Sequence, residues 1–394
     1  MKTVFICIDW FHPAYKAGGP VQSIVNMVRQ YENQEVLFKI FTSNTDLDGS
    51  LHRGVPYDEW CYFNHRTEVW YGSRRNQTYA VFLRELAQTG ASVLYVIGMF
   101  SWYTKQWQTL RKGPPVKKII STRGMMLPGA LTQKAFKKKL YIAAWKKLGL
   151  YKDYYFHASD PMEAQYLKQS YGADIRVQLA NNFPRIFPFS DMPDKKAGIL
   201  HLVSIGLISP MKNILLVLQA LQDCTSDIRY TIYGPVKDDD YWTSCLEQIK
   251  ALPANITVRY KGDLVPGDVE AALRENEVFI LPSKSENFGH ALYEAVSAGR
   301  PLITSHTTPF NYLEDHKSGK NVSIDDHYEM TDAIEFFAAM PAEQFAKWNE
   351  GAWVYSGKHL DLTVLTTQYD RLFLTEDSTS KISVAFNKNM VREG

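Results

Sequence analysis

Residues 279–301, FILPSKSENFGHALYEAVSAGRP, read in order as a buried strand, a polar turn and an amphipathic helix. Val278 and the first three residues of this stretch form a short apolar run stopped by Pro282, as expected of a strand covered on both faces of a parallel sheet. Ser283 to Asn287 is polar. From Gly289 the apolar positions Ala291, Leu292, Ala295 and Val296 fall at helical spacing, until Gly299 and Pro301 end the helix. Such a turn aims unpaired backbone N–H groups and the positive end of a helix at the mouth of the sheet, a place that attracts phosphate. Two carboxylates flank it. Glu286 precedes the helix, while Glu294 lies four residues after His290 on the same face, where a carboxylate can accept hydrogen bonds from ribose hydroxyls. The plainer alternative makes Glu286 a helix-capping acid and Glu294 a solvated one.

The string SENFGH, with Glu294 closing an E-x7-E spacing, resembles the signature of retaining glycosyltransferases of family 4. The resemblance implies that Glu286 contacts a donor sugar and that Glu294 binds the ribose of its nucleotide. It also places Asn287 and the backbone of Phe288, Gly289 and His290 at the diphosphate. Working outward, SIGLISPMKNILLVLQAL puts Gly206 at a strand end and Lys212 before a long apolar helix, where its ammonium is a compact charge for a diphosphate. Family members commonly carry Arg just after that glycine; Leu207 stands there, which puts part of the phosphate grip in doubt. Tyr233, Gly234 and Pro235, with Asp240 and Tyr241, are similar to the family's base-binding region.

Toward the N-terminus, Thr3 to Ile8 is a first buried strand rather than a signal peptide, followed by a loop with Gly18 and Gly19 before a helix. Family 4 enzymes have a similar loop against the donor phosphates and the acceptor. There is no G-x-G-x-x-G, so a dinucleotide fingerprint is absent. Further strands are predicted at 36–42, 68–71, 93–97, 116–121 and 154–157, then at 200–205, 230–233, 256–260, 278–281 and 302–304. Strand and helix in alternation predict doubly wound parallel sheets. Arg123, in the loop STRGM after one strand end, is placed to meet an anion; the surrounding segment resembles P-R-G-M-L of one family branch, with Thr122 where Pro is common. His157 reads as structural, and the place of Glu163 stays open.

With 394 residues, 45% hydrophobic and 22% charged, two globular domains are expected. Cys7, Cys61, Cys224 and Cys245 show no ligand spacing or dense framework, which points to reduced, buried thiols and a cytoplasmic protein; no metal site is legible. No apolar run approaches a membrane span. Between Glu85 and Asp153 there are thirteen Lys and Arg and no acidic residue, leaving 31 basic against 42 acidic residues elsewhere. That asymmetry favours anionic partners. Within it, residues 134–152 place Phe136, Leu140, Ala144 and Leu148 on one stripe among lysines. The stripe either faces its own core or lies on an anionic membrane surface.

The expected architecture is therefore α/β of the GT-B type, two Rossmann-like doubly wound domains facing each other across a cleft. Residues 1–185 form the acceptor-side domain, with a C-terminal helix 358–378 packing back on it. The Pro- and Lys-rich stretch to Lys196 is a linker, 197–357 the donor-binding domain and 379–394 a polar tail. The resemblance implies a retaining, metal-independent glycosyltransferase, with Glu286, Lys212 and Arg123 at the reacting centre and no cofactor besides the nucleotide-sugar donor. Its acceptor would be a glycan or lipid-linked saccharide in surface polysaccharide biosynthesis (lipopolysaccharide or capsule) at the inner face of the plasma membrane. A non-catalytic nucleotide-sugar binder and a nucleotide-sugar epimerase of the same layout are the alternatives. No nucleic-acid reader module is visible.

Overall fold

Apolar runs of four to eight residues, rich in Val, Ile and Phe, set both sheets of this chain. The computed structural model describes residues 2–105, 113–127, 135–192 and 194–375. Two compact units emerge: Met1–Phe183 together with the chain from Leu362, and Pro184–Asp361.

In the first unit, β1 (Lys2–Cys7), β2 (Val36–Ser43), β3 (Trp60–Asn64), β4 (Thr67–Gly72), β5 (Val93–Ile97), β6 (Lys117–Ser121), β7 (Tyr155–Ala158) and β8 (Val177–Leu179) form one sheet, in the order β3-β4-β2-β1-β5-β6-β7-β8. Every pairing is parallel except β3 with β4, a hairpin whose register shifts between Tyr62 and Asn64. Val4 to Cys7 are fully buried because helices cover both faces of the central strand. The edge strands β3 and β8 escape the apolar-run reading since neither is a buried run: β3 is half-exposed with Tyr62 out in solvent, and β8 has only three residues. Of the four cysteines Cys61, on β3, is the one not buried.

The second unit has a six-stranded sheet, β9 (Ile199–Ile205), β10 (Asp227–Tyr233), β11 (Ile256–Tyr260), β12 (Val278–Leu281), β13 (Leu302–Ser305) and β14 (Gly319–Val322), ordered β11-β10-β9-β12-β13-β14 and parallel throughout. The stretch read as a linker packs on this unit. Phe187 is buried with its N–H donating to Ser297 Oγ at 3.0 Å, and Ser190 N donates to Ala298 O at 3.3 Å.

Two helical expectations change. The last helix is shorter than the expected 358–378: it is Leu362–Leu374, the second of two helices, set off from Ala342–His359 where Leu360 adopts an extended conformation; residues 376–378 and the tail 379–394 lie outside the described residues. The second of them docks on the first unit through Tyr369 and Phe373, and Tyr31 Oη donates to Asp370 Oδ1 at 2.8 Å. Within 134–152 the helix runs Ala135–Lys147, and its predicted stripe does not face the core. Phe136, Leu140 and Leu148 are 81%, 62% and 52% exposed, while Trp145 is buried against Tyr154, ring centroids 5.4 Å apart. The large aromatic surface of Trp145, joined by half-buried Tyr141 and Ile142, outweighs a stripe of leucines. Lys134 lies outside the described residues.

Candidate active site

In open parallel sheets, ligands bind beyond the carboxyl ends of the strands where the strand order reverses. In the second unit that place is between β9 and β12. After β9 the chain passes Gly206, turns with Lys212 N donating to Ser209 O at 3.0 Å, and enters the helix Ile214–Leu221 through Asn213 in the left-handed region, φ 57°. Asn213 makes no side-chain cap. Instead Tyr241 Oη accepts from Leu215 N at 2.9 Å, and Asn213 Nδ2 donates to Ile324 O at 3.0 Å. Tyr241, expected near a nucleobase, thus spends its hydroxyl on a helix end.

The turn lays the Lys212 side chain across Gly206, where a Cβ would stand 3.8 Å from Lys212 Cε. Gly234, at φ 132° after β10, has a stricter requirement: a Cβ there would fall 1.9 Å from Gly206 O. The two strand ends touch backbone to backbone. After β12, Lys284 N donates to Met211 O at 2.8 Å and stitches the two loops together. Across this seam Lys212 Nζ pairs with Glu286 Oε1, the oxygen that also accepts from Ser283 Oγ at 2.6 Å. Glu286 is therefore not the cap residue of this helix; Gly289 is, and it has no side chain to offer the N–H groups behind it. A Cβ on Gly289 would meet Leu292 Cδ1 and Phe310 Cε2 at 3.0 Å, and φ of 75° makes any side chain costly.

Phe288 is buried and its ring packs on His290, centroids 4.7 Å apart, with Asn287 beside it in the loop. Glu294 is 8% exposed in the helix His290–Ser297 rather than solvated. Among the described residues no hydrogen bond reaches its carboxylate. Burial pushes its pKa up to about 7, with only the Arg185 charge opposing. Sequence reasoning missed Arg185 and Ser283. Arg185 has no signal along the chain, because what marks it is proximity to a carboxylate more than a hundred positions away.

In the first unit, Gly18 opens the helix Gly19–Gln30 with φ 74° and no side-chain cap. The preceding loop is held by Asp46 Oδ2, which accepts from Tyr15 N and Lys16 N at 3.0 and 3.3 Å. Nothing lies within 4 Å of a Cβ at Gly18, so backbone conformation rather than space requires the glycine.

Arg123 departs from the expectation of an anion ligand. Its guanidinium is buried inside the unit: Nη1 donates to Ser23 Oγ at 2.9 Å and to Asn182 Oδ1, and Nη2 to Tyr95 Oη at 3.0 Å. Glu163, left open above, is fully buried below the same loop. It accepts from Thr122 Oγ1 and Gly124 N with one oxygen, and from Ser159 N and Oγ at 2.8 Å with the other. His157 completes the cluster, Nε2 against Ala180 O at 2.7 Å and Nδ1 against Tyr95 Oη at 2.6 Å. Burial, aided by Arg123, lowers its pKa to about 3 and keeps it neutral. Both oxygens of Glu163 and both terminal nitrogens of Arg123 are bonded inside the unit, while Arg123 Nε is buried without a partner among the described residues; the guanidinium is held chiefly by internal contacts.

One group beside β1 is different. Asp9 follows the strand end at the first sheet's own reversal, between β1 and β5. Among the described residues its carboxylate takes no hydrogen bond, and burial, opposed by Lys105, raises its pKa to about 6. A carboxylate placed just after a buried strand was the available signal.

These are the units of the GT-B glycosyltransferase fold. Sucrose-phosphate synthase from Thermosynechococcus elongatus matches with a TM-score of 0.71 over 95% of this chain and 98% of that one, at 16% identity. The Anabaena protein HepE in complex with UDP and glucose matches at 0.65 over 94% and 99%, with 13% identity. Residues 191–352 match the family Glycosyl transferases group 1. A phosphatidyl-myo-inositol mannosyltransferase of Mycobacterium leprae is 27% identical over 184 residues, 45% of this chain and 46% of that protein. The chain spans less than half the length of the curated relatives it matches. No helix among the described residues is long and apolar enough to cross a membrane.

Proposed function

We propose that the protein is a retaining glycosyltransferase that moves a sugar from a nucleotide diphosphate sugar to a hydroxyl of a glycan or lipid-linked acceptor. The observation that carries this reading is the Lys212–Glu286 pair at the β9/β12 strand ends, with a buried, unbonded Glu294 one helix turn and a half beyond it. With no ligand, lysine and glutamate satisfy each other. A diphosphate would draw Lys212 toward itself beside Gly206 and the amides of Gly289 and His290, stabilising the negative charge that builds on the leaving group. Glu286, released from the lysine and still fixed by Ser283, would accept hydroxyls of the donor sugar. Glu294 would accept those of the ribose and so regain the hydrogen bonds it lacks. In this reading neither a metal nor a further cofactor is needed, and turnover should be unchanged after chelation.

Uridine diphosphate is the first donor moiety to try, since the similarly folded HepE is recorded with UDP and glucose. The acceptor side is read from the helix Ala135–Lys147. Its exposed Phe136 and Leu140 stand among exposed Lys137, Lys139, Lys146 and Lys147, a surface suited to anionic lipid and hence to a lipid-linked polysaccharide precursor at the inner membrane face. Anionic liposomes at low salt should retain the protein; failure to do so removes this part of the reading.

The donor is tested by thermal shift with UDP, GDP, ADP and their sugars, beside Glu294→Ala. A nucleotide at ~100-fold over its Kd stabilises by about 2.7 kcal/mol, and the variant should lose that shift. Leu207 favours one rival, a binder without turnover, which would show the shift but no product with any acceptor. An epimerase would form product with no acceptor present.

A further inference from the structure

The second unit holds a half-buried arginine that the donor site above leaves without a task. Phe187 N donates to Ser297 Oγ at 3.0 Å, and that hydroxyl donates onward to Glu294 O at 2.8 Å, so Ser297 ties the segment before β9 to the backbone of Glu294. Two residues before Phe187, Arg185 lies over the Phe187 ring, its guanidinium carbon 4.5 Å from the centroid, and Nη1 donates to Pro266 O in the turn that follows β11. A ring beneath and a carbonyl at one edge fix the planar fork. Among the described residues its Nε and Nη2 take no hydrogen bond.

Arg185 is close enough to Glu294 for its charge to oppose the effect of burial on that carboxyl, yet no hydrogen bond joins the two. Lys212 and Glu286, by contrast, meet directly. The chemistry that serves an unjoined guanidinium and carboxylate together is narrow. A phosphate suits the arginine and is repelled by the glutamate, whereas an amine or a base N–H suits the glutamate and offers the arginine no acceptor. A hydroxyl does both, giving its proton to the carboxylate and accepting an N–H on its own oxygen. A vicinal diol carries two such groups side by side.

We propose that Arg185 is a ribose ligand of the nucleotide donor, donating to the oxygen of a hydroxyl whose proton goes to Glu294, and that the two together select ribonucleotides over their deoxy forms. The inference rests on the sugar-transfer reading for the nucleotide itself. Titration calorimetry of the full chain with UDP, 2′-deoxy-UDP and 3′-deoxy-UDP tests it, in the parent and in Arg185→Met; the GDP or ADP set replaces these if thermal shift selects that base. The parent should bind at least one deoxy form about tenfold or more weakly than the ribonucleotide, the size of a hydrogen bond to a charged group. Arg185→Met should weaken the ribonucleotide by about tenfold and that deoxy form hardly at all, so the preference for ribose shrinks. An arginine that only braced Phe187 and Pro266 would weaken all three alike, and this outcome overturns the proposal, as does a variant that binds the ribonucleotide as the parent does. If no nucleotide binds the parent, the sugar-transfer reading falls and the ribose contact with it; if the ribonucleotide binds and the ratios stay put, only the ribose contact falls.

Discussion

The two sheets reverse their strand order in the same way, at β1/β5 and at β9/β12, yet the charged residues in the loops after their strands are held differently. At β9/β12, Lys212 and Glu286 face each other across a seam of strand ends, and Glu294 is buried without a hydrogen bond. In the first unit the charged groups after β6 and β7, Arg123 and Glu163, are bonded inside the unit through both terminal nitrogens and both oxygens, while Asp9 at the β1/β5 reversal resembles Glu294. Both ends of both sheets carry titratable side chains. What separates a scaffold charge from one held ready for a ligand is whether its partners are already inside the unit.

That contrast breaks most easily at Arg123. Arg123→Met leaves Ser23 Oγ, Asn182 Oδ1 and Tyr95 Oη buried without their arginine donor, at about 1–3 kcal/mol for each, and should cost about 3 kcal/mol or more in chemical denaturation, while the nucleotide Kd stays at its parent value. A nucleotide Kd that weakens with little loss of stability would return Arg123 to the donor site. Lys212→Ala should do the reverse: turnover falls by roughly 10²–10³-fold, the size of losing one preorganised group from a developing anion, with little change in the denaturation midpoint.

Glu294 sharpens the comparison through stability. Its carboxyl titrates near 7 in the folded chain against 4.5 in the reference state. Both states are protonated below pH 4.5 and no cost is felt. Between pH 4.5 and 7 the unfolded chain loses its proton first, so stability falls as pH rises, and above 7 the full cost of roughly 3 kcal/mol is in place. Glu294→Gln should therefore stabilise the chain at pH 8 by up to that amount and leave it unchanged at pH 4.5. A variant of equal stability at both would mean the carboxylate is solvated after all. The smallest effect is on affinity. Ribose hydroxyls need the ionised carboxylate, so the nucleotide should bind about tenfold more weakly at pH 6 than at pH 8, and Glu294→Ala should flatten that slope.

Much of the fold was legible because a buried parallel strand is a run of apolar residues wherever it occurs. The runs at 93–97 and 278–281 match β5 and β12 residue for residue. Of the edge strands, β11 was legible at 256–260, whereas β3, β8 and β14 were not, since an edge is defined by its neighbour and can do without an apolar run of its own. The helix Ala135–Lys147 was readable as a helix but not in its orientation, which Trp145 decided against the Phe136–Leu140–Leu148 stripe.

At the site, the sequence by itself determined the loop glycines, the order of strand, turn and helix, and the residues Lys212, Glu286 and Glu294. These are local matters of backbone conformation and spacing. Only the tertiary structure decided that Lys212 and Glu286 pair across adjacent strand ends, that Glu294 is dry, and that Arg123 turns inward. A charge is priced by its desolvation and its partners, and both are supplied by segments remote along the chain.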